Sequence, residues 1–167
     1  MRFLYGEFEV TLDEKSRLLV PAEIRKRLQP EDGNAFILVI GQNRVPWLYA
    51  EGYYEELIEQ DRTQLRPAAD ELAFLQVNFA GAARLELDRQ GRVLIPDRVM
   101  RRVRLNKELM LAGVRDHLEL WDRAAWDNRM RDLTERIPDL AVGSKETRRP
   151  DSGHPAGSEA GAPGGQG

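Results

Sequence analysis

Phe8, Val10 and Leu12 alternate with Glu7, Glu9 and Thr11, the period-2 pattern of a strand with one buried face. The polar run Asp13-Glu14-Lys15-Ser16 then reverses the chain, and Leu18 to Val20 returns as a second strand. Pro21 suits the first position of a helix, which predicts a short helix over Ala22 to Leu28. Gln29 to Asn34 is loop by composition, Phe36 to Ile40 a buried strand, Trp47 to Tyr49 a fourth strand, and Glu51 to Asp61 a helix.

The same order recurs. Leu85 and Leu87 alternate with Arg84 and Glu86, Val93 to Ile95 returns, and Asp97 to about Val103 reads as helix. Leu109 to Ala112 and Leu118 to Trp121 follow as strands, and Trp126 to Leu133 closes the half as a helix. Pro67 marks the start of a connecting helix that runs to about Asn78. Residues repeat along with elements: Leu12, Asp13, Arg17, Leu19, Pro21 and Arg27 recur 75 positions on as Leu87, Asp88, Arg92, Leu94, Pro96 and Arg102. Other pairs keep their character, namely Leu18 with Val93, Val20 with Ile95, Ile24 with Val99 and Lys26 with Arg101. The inference is a duplicated half-domain.

The organisation that follows is a first half over 1–62, a connecting helix over 63–80, a second half over 81–140 and a disordered Gly- and Pro-rich tail over 141–167. That tail has too little apolar surface to offset its chain entropy. The expected fold class is mainly β with short helices, α+β, built as tandem β-β-α-β-β-α halves about a pseudo-two-fold axis. Neither half has enough core to stand alone, and a four-stranded unit would leave long edges unpaired, so the strands are expected to interleave into a small barrel.

The 167 residues, 41% of them hydrophobic, suffice for one compact domain or two intimately paired halves. No apolar run approaches the roughly 20 residues of a membrane-spanning helix, and charge interrupts the amino terminus too early for a signal peptide. A cytoplasmic protein with no membrane partner is the expectation. Cys is absent, which removes thiolate nucleophiles and Cys-based metal sites. The net charge of −3 offers no general basic surface to nucleic acid, but the bases are concentrated between Asp88 and Lys107 and the acids between Glu51 and Asp61.

The two reversals are the sharpest positions. Asp13 and Asp88 suit the opening of a turn, where the carboxylate accepts backbone N–H bonds two residues on. Gly91 supplies a positive φ at the fourth position, and Ser16 in its place strains the first turn or shifts its type. Lys15 and Arg17 fall near one edge of a hairpin, where a guanidinium can grip a phosphate or a guanine edge in two-pronged fashion. An ion pair between Arg17 and Asp13 within the turn fits the spacing equally well. Trp47, Trp121 and Trp126, with Tyr49, Tyr53 and Tyr54, sit in apolar faces and read as packing rather than as platforms for bases. Enzyme signatures are poor: no phosphate-binding Gly-rich loop, no nucleophile elbow, and His117 reads as a packing or surface residue. An Asp13–Asp88 proton-sharing dyad lacks the small residues that should follow each Asp. No catalytic residue, metal site or cofactor is expected.

Asp13-x-Lys15-x-Arg17-x-x-x-Pro21-x-x-x-Arg25, repeated more weakly as Asp88-x-x-Gly91-Arg92-x-x-x-Pro96, resembles the signature of the MraZ family of bacterial transcriptional regulators of the division and cell-wall gene cluster. Leu105-Asn106-Lys107-Glu108 and Leu118-Glu119-Leu120-Trp121-Asp122 support the resemblance, which covers about residues 1–140. It implies a double AbrB-like swapped-hairpin barrel in a ring-shaped homo-oligomer that binds direct repeats of double-stranded DNA in its own promoter, nucleoid-associated and acting as a repressor. The implied DNA-contacting set is Lys15, Arg17, Arg25 and Arg92. Ser16, Gln90 and Met100 depart from the signature and favour the first copy as the part that reads DNA. The rival implication is an antitoxin-like protein-binding module of the same barrel superfamily, which needs an amphipathic tail that 143–167 does not offer.

Overall fold

The short apolar runs and polar reversals build two antiparallel sheets. A computed structural model describes residues 3–60, 72–73 and 75–146. Its strands are β1 (Leu4–Thr11), β2 (Arg17–Leu19), β3 (Ala35–Ile40), β4 (Pro46–Ala50), β5 (Ala83–Glu86), β6 (Arg92–Leu94), β7 (Glu108–Arg115) and β8 (His117–Asp122). The helices are α1 (Ala22–Arg25), α2 (Glu51–Gln60), α3 (Asp97–Val103) and α4 (Arg123–Glu146), with tighter turns at Pro30–Asp32 and Gln42–Arg44 and a wider one at Gln76–Ala80. The class is α+β. Contacts divide the chain into two compact units, Met1–Arg129 and Met130–Gly167, and all eight strands belong to the first.

Six strands form one sheet in the order β1-β7-β8-β4-β3-β5, while β2 and β6 pair as a separate ribbon. Exchanging β1 with β5, β3 with β7 and β4 with β8 makes the order read the same backwards. The duplication in sequence is therefore a two-fold relation among strands, and the halves interleave. The first half's β1 takes the second half's β7 as its partner, and the second half's β5 takes β3. Leu12 N–H donates to the carbonyl of Lys107 and Leu87 N–H to that of Asn34, at 2.9 and 3.0 Å, bonding each half's turn to the other half's loop.

The positions that the two copies keep apolar rather than identical form the centre of the core. Leu18 and Val93, Val20 and Ile95, and Ile24 and Val99 are all no more than 1% exposed, and Leu18 faces Val93 across the ribbon. Each such side chain stabilises the fold by about 1.5–3 kcal/mol relative to exposure. That is why the repeat preserves them.

Two helix boundaries differ from those the pattern predicts. The first helix stops at Arg25 instead of reaching Leu28, because Gln29 precedes Pro30 and takes an extended conformation, φ −92° and ψ 160°. The last helix begins at Arg123 and runs past Leu133 to Glu146. Composition assigns 141–146 to the tail, yet they are helical, since extending a formed helix demands far less than starting one. The rest of the tail, 147–167, and the connecting helix's start at Pro67 lie outside the described residues.

Candidate nucleic-acid interface

Each reversal is built around one carboxylate. Oδ1 of Asp13 accepts the backbone N–H groups of Lys15 and Arg17, both at 2.9 Å, and Oδ2 accepts Nε–H of Arg17 at 2.7 Å. Asp88 repeats the arrangement with Gln90 and Arg92 at 2.9 Å and Nε–H of Arg92 at 2.8 Å. Ser16 N–H and Gly91 N–H close the turns onto the carbonyls of Asp13 and Asp88 at 3.0 and 2.9 Å. Such bonds favour the ionised carboxylate. The backbone N–H of Arg92 is the main reason that Asp88 is pushed down to about 2, and that of Arg17 does the same for Asp13, which is held below its usual 3.8. Neither acid has the raised pKa that one member of a proton-sharing dyad requires. The fourth residue takes φ +57° at Ser16 and +77° at Gly91. Ser16 thus keeps the turn's type and carries the left-handed strain that glycine avoids.

The ribbon sets these turns side by side. Arg17 lies opposite Leu94, Leu18 opposite Val93, and Leu19 opposite Arg92. Opposed residues of an antiparallel pair project to one side and alternate residues to the other. One side is therefore the buried Leu18 and Val93. The other carries Arg17, Leu19, Arg92 and Leu94, with the leucines 53% and 56% exposed. Val20 N–H to Gly91 O and Ile95 N–H to Ser16 O, at 3.0 and 2.9 Å, extend the two-fold pattern beyond the strands. The ion pair within each turn is formed through Nε, and at Arg92 an Nη atom also reaches Oδ2 of Asp88 at 2.7 Å. A guanidinium has five donors in a rigid fork, so a carboxylate at Nε orients the group without exhausting it.

The other cations divide by what they hold. Lys15 is exposed on the first turn, where the second copy has Gln90. Arg25 is exposed on α1, donates Nε–H to the carbonyl of Val20 at 3.1 Å, and lies against Gly91 of the other half. Beside it opens a cleft of about 450 Å³ lined in part by Gln29, Asn34, Asp88 and Arg89. Arg27, by contrast, donates to the carbonyl of Tyr5 at 2.7 Å and stacks 3.7 Å over that ring. Arg98 donates to the carbonyl of Ala82 at 2.6 Å. These two arginines fasten backbone, so part of the basic character around both motifs is structural.

The aromatic residues pack. Trp126 is buried against Trp121, whose indole N–H donates to Glu119 at 2.7 Å. Trp47 stacks 4.5 Å from His117, which Tyr49 also covers at 5.1 Å. His117, only 8% exposed, has Nδ1 at 2.9 Å from Asp116 and Nε2 at 3.5 Å from Glu119. Burial works against its charge, but its bonds with Glu119 and Asp116 outweigh that, and its pKa is raised above 6.5. Among the described residues no cluster of three His, Cys, Asp or Glu could hold a metal, and no helix is long and apolar enough to cross a membrane.

Reasoning from sequence overlooked Leu19 and Leu94 as surface residues, because an apolar residue in a strand reads as core. The signal was present in the alternation: with Leu18 inward, Leu19 must share the side of Arg17.

A family model described as "MraZ protein, putative antitoxin-like" matches residues 3–76 and 78–138. A protein of Moorella thermoacetica named "Transcriptional regulator MraZ" is 34% identical over 136 residues, spanning 81% of this chain and 92% of its own. Proteins of the same name from Desulforamulus reducens and Pediococcus pentosaceus are 32% and 33% identical, each again over 81% of this chain and over 97% and 92% of their own lengths. With a matched segment for each half, the chain belongs to the MraZ family, whose members are not enzymes.

Proposed function

We propose that this chain is a sequence-specific regulator of transcription that binds double-stranded DNA through the exposed side of the β2–β6 ribbon and its two turns. The observation that carries the reading is the pair of Asp–Arg turns, set two-fold on one ribbon, in which a carboxylate holds each arginine by its Nε–H on the ribbon's exposed side. A two-stranded ribbon fits the major groove of B-DNA, and an end-on arginine there makes the two-pronged contact to guanine. Arg17 and Arg92 take that role, and Lys15 and Arg25 contact phosphates. Lys15 and Arg25 have no charged counterpart at Gln90 and Met100, which makes the first copy the stronger contributor.

The sheet and ribbon together form a swapped-hairpin barrel, and several copies assemble into a ring-shaped homo-oligomer. One two-pronged contact supplies only roughly 1–3 kcal/mol of discrimination. Repetition around a ring makes later contacts intramolecular, so the spacing of direct repeats enforces specificity. The target is the promoter of the chain's own division and cell-wall gene cluster, on the nucleoid in the cytoplasm, and occupancy represses it. The net charge of −3 suppresses binding to DNA that lacks the repeats.

The test is a salt titration of binding to the region upstream of this gene, with wild type, Arg17→Ala and scrambled repeats. Preference for the native repeats, lost in Arg17→Ala, supports the reading, and the slope of affinity against salt counts the phosphates engaged. Absent binding, or equal binding to scrambled DNA by both proteins, overturns it in favour of a protein partner.

A further inference from the structure

Beyond the arginines, and resting on the reading just given, we infer that Leu19 and Leu94 are specificity-determining residues that contact the C5 methyl groups of two thymines in each bound site. Both leucines are more than half exposed, although their strand neighbours Leu18 and Val93 are sealed in the core. Each is opposite an arginine, Leu19 across from Arg92 and Leu94 across from Arg17. A side presented to the major groove by these arginines carries the leucines into the groove with them. The only apolar group there is the thymine methyl.

The register also sets the geometry. Leu19 and Leu94 are diagonal neighbours across the ribbon, about 8 Å apart. At about 3.4 Å per base step, the two methyls lie two to three base pairs apart. The pseudo-two-fold that exchanges Leu19 with Leu94 and Arg92 with Arg17 places those thymines on opposite strands, symmetric about the ribbon's centre. A second copy of the chain is the poorer occupant of this surface, because ribbon meeting ribbon would bring the arginines of both copies together.

The experiment compares the upstream duplex carrying thymine with the same duplex carrying deoxyuridine, which lacks only the methyl. Proteins are wild type and the double variant Leu19→Ala/Leu94→Ala, with size measured by light scattering. Each lost methyl contact is worth about fourfold in affinity, so deoxyuridine should weaken wild type on the order of tenfold for each repeat engaged. The variant should bind thymine DNA about as weakly as wild type binds deoxyuridine DNA and be indifferent to the exchange. Equal wild-type binding to both duplexes overturns the inference while leaving the regulator reading intact. So does a variant that is as sensitive to deoxyuridine as wild type, or one whose loss accompanies a changed oligomeric size. Failure of wild type to bind either duplex overturns both readings together.

Discussion

The guanidinium of Arg25 rests against Gly91 so closely that a Cβ on that glycine would lie 2.7 Å from its Cζ. An arginine of one half is thereby seated on the turn of the other. Gly91→Ala must hold an L side chain at φ +77° and displace Arg25. The backbone cost of about 1–2 kcal/mol corresponds to a fall in Tm of about 2–8 °C. In an Arg25→Ala background the further loss should be smaller, which a double-mutant cycle measures. Equal losses in both backgrounds would show that the contact constrains nothing.

The first turn should respond in the opposite direction. Ser16 holds φ +57° without glycine's freedom. Ser16→Gly removes the strain, less the extra entropy of glycine in the unfolded chain, for a net gain of about 0.5–1 kcal/mol. The urea midpoint should rise with an unchanged slope. A lower midpoint would mean that the serine hydroxyl does something the turn needs.

Asp13 and Asp88 are both held below 3.8. For a depressed acid, the stabilisation is complete above the unfolded value and is lost as pH falls through the folded one. At Asp88 that window runs from about 3.8 down to about 2. In Arg92→Ala, carboxyl NMR should show Asp88 moving part of the way back up, since the backbone N–H at position 92 remains. Arg17→Ala should leave Asp88 where it is and raise Asp13. Movement of both acids in either variant would show that the turns are coupled.

His117 has the reverse sign. Its raised pKa means that its stabilisation is present in full below 6.5 and disappears as pH rises through the raised value. The groups around it are Asp116, Glu119, Trp47 and Tyr49. The stability advantage of wild type over His117→Gln, followed by thermal melts, should shrink from pH 6 to pH 8. A difference that stays flat would show a histidine whose proton affinity folding leaves unchanged, and one that grows a histidine kept neutral by its burial.

Cations that touch DNA and cations that fasten backbone separate in one salt series. Lys15→Ala should lower the magnitude of the salt slope by about 1 for each repeat engaged. Arg27→Ala should leave the slope unchanged and lower Tm, because its guanidinium is spent on Tyr5. A slope that changes in Arg27→Ala but not in Lys15→Ala would reverse the assignment.

Much of this was legible in the chain because burial imposes period 2. Phe8 to Leu12 and Leu118 to Trp121 alternate as half-buried strands must, and the apolar pairs shared by the copies fall in the core. Which strands pair was not legible. The repeat implies a two-fold, but nothing local to Leu4–Thr11 names Glu108–Arg115 as its partner. At Arg17 the same spacing serves an internal ion pair and an outside contact, and only geometry shows that the pair uses Nε. Arg27 recurs as Arg102 and so resembles a functional residue, yet it grips a carbonyl more than 20 positions away. The exposed leucines were hidden by their own hydrophobicity.

The palindromic strand order has a consequence for how the protein is made. While the first half emerges from a ribosome, β1 lacks its sheet partner, which lies about a hundred residues downstream. The β3–β4 hairpin waits likewise for β5 and β8. Synthesis at about 5–20 residues per second leaves these edges open for seconds. Glu7 and Glu9, both exposed on β1, put charge on that open strand, and charge on an unpaired edge opposes its pairing with a wrong chain until residues 108–122 arrive.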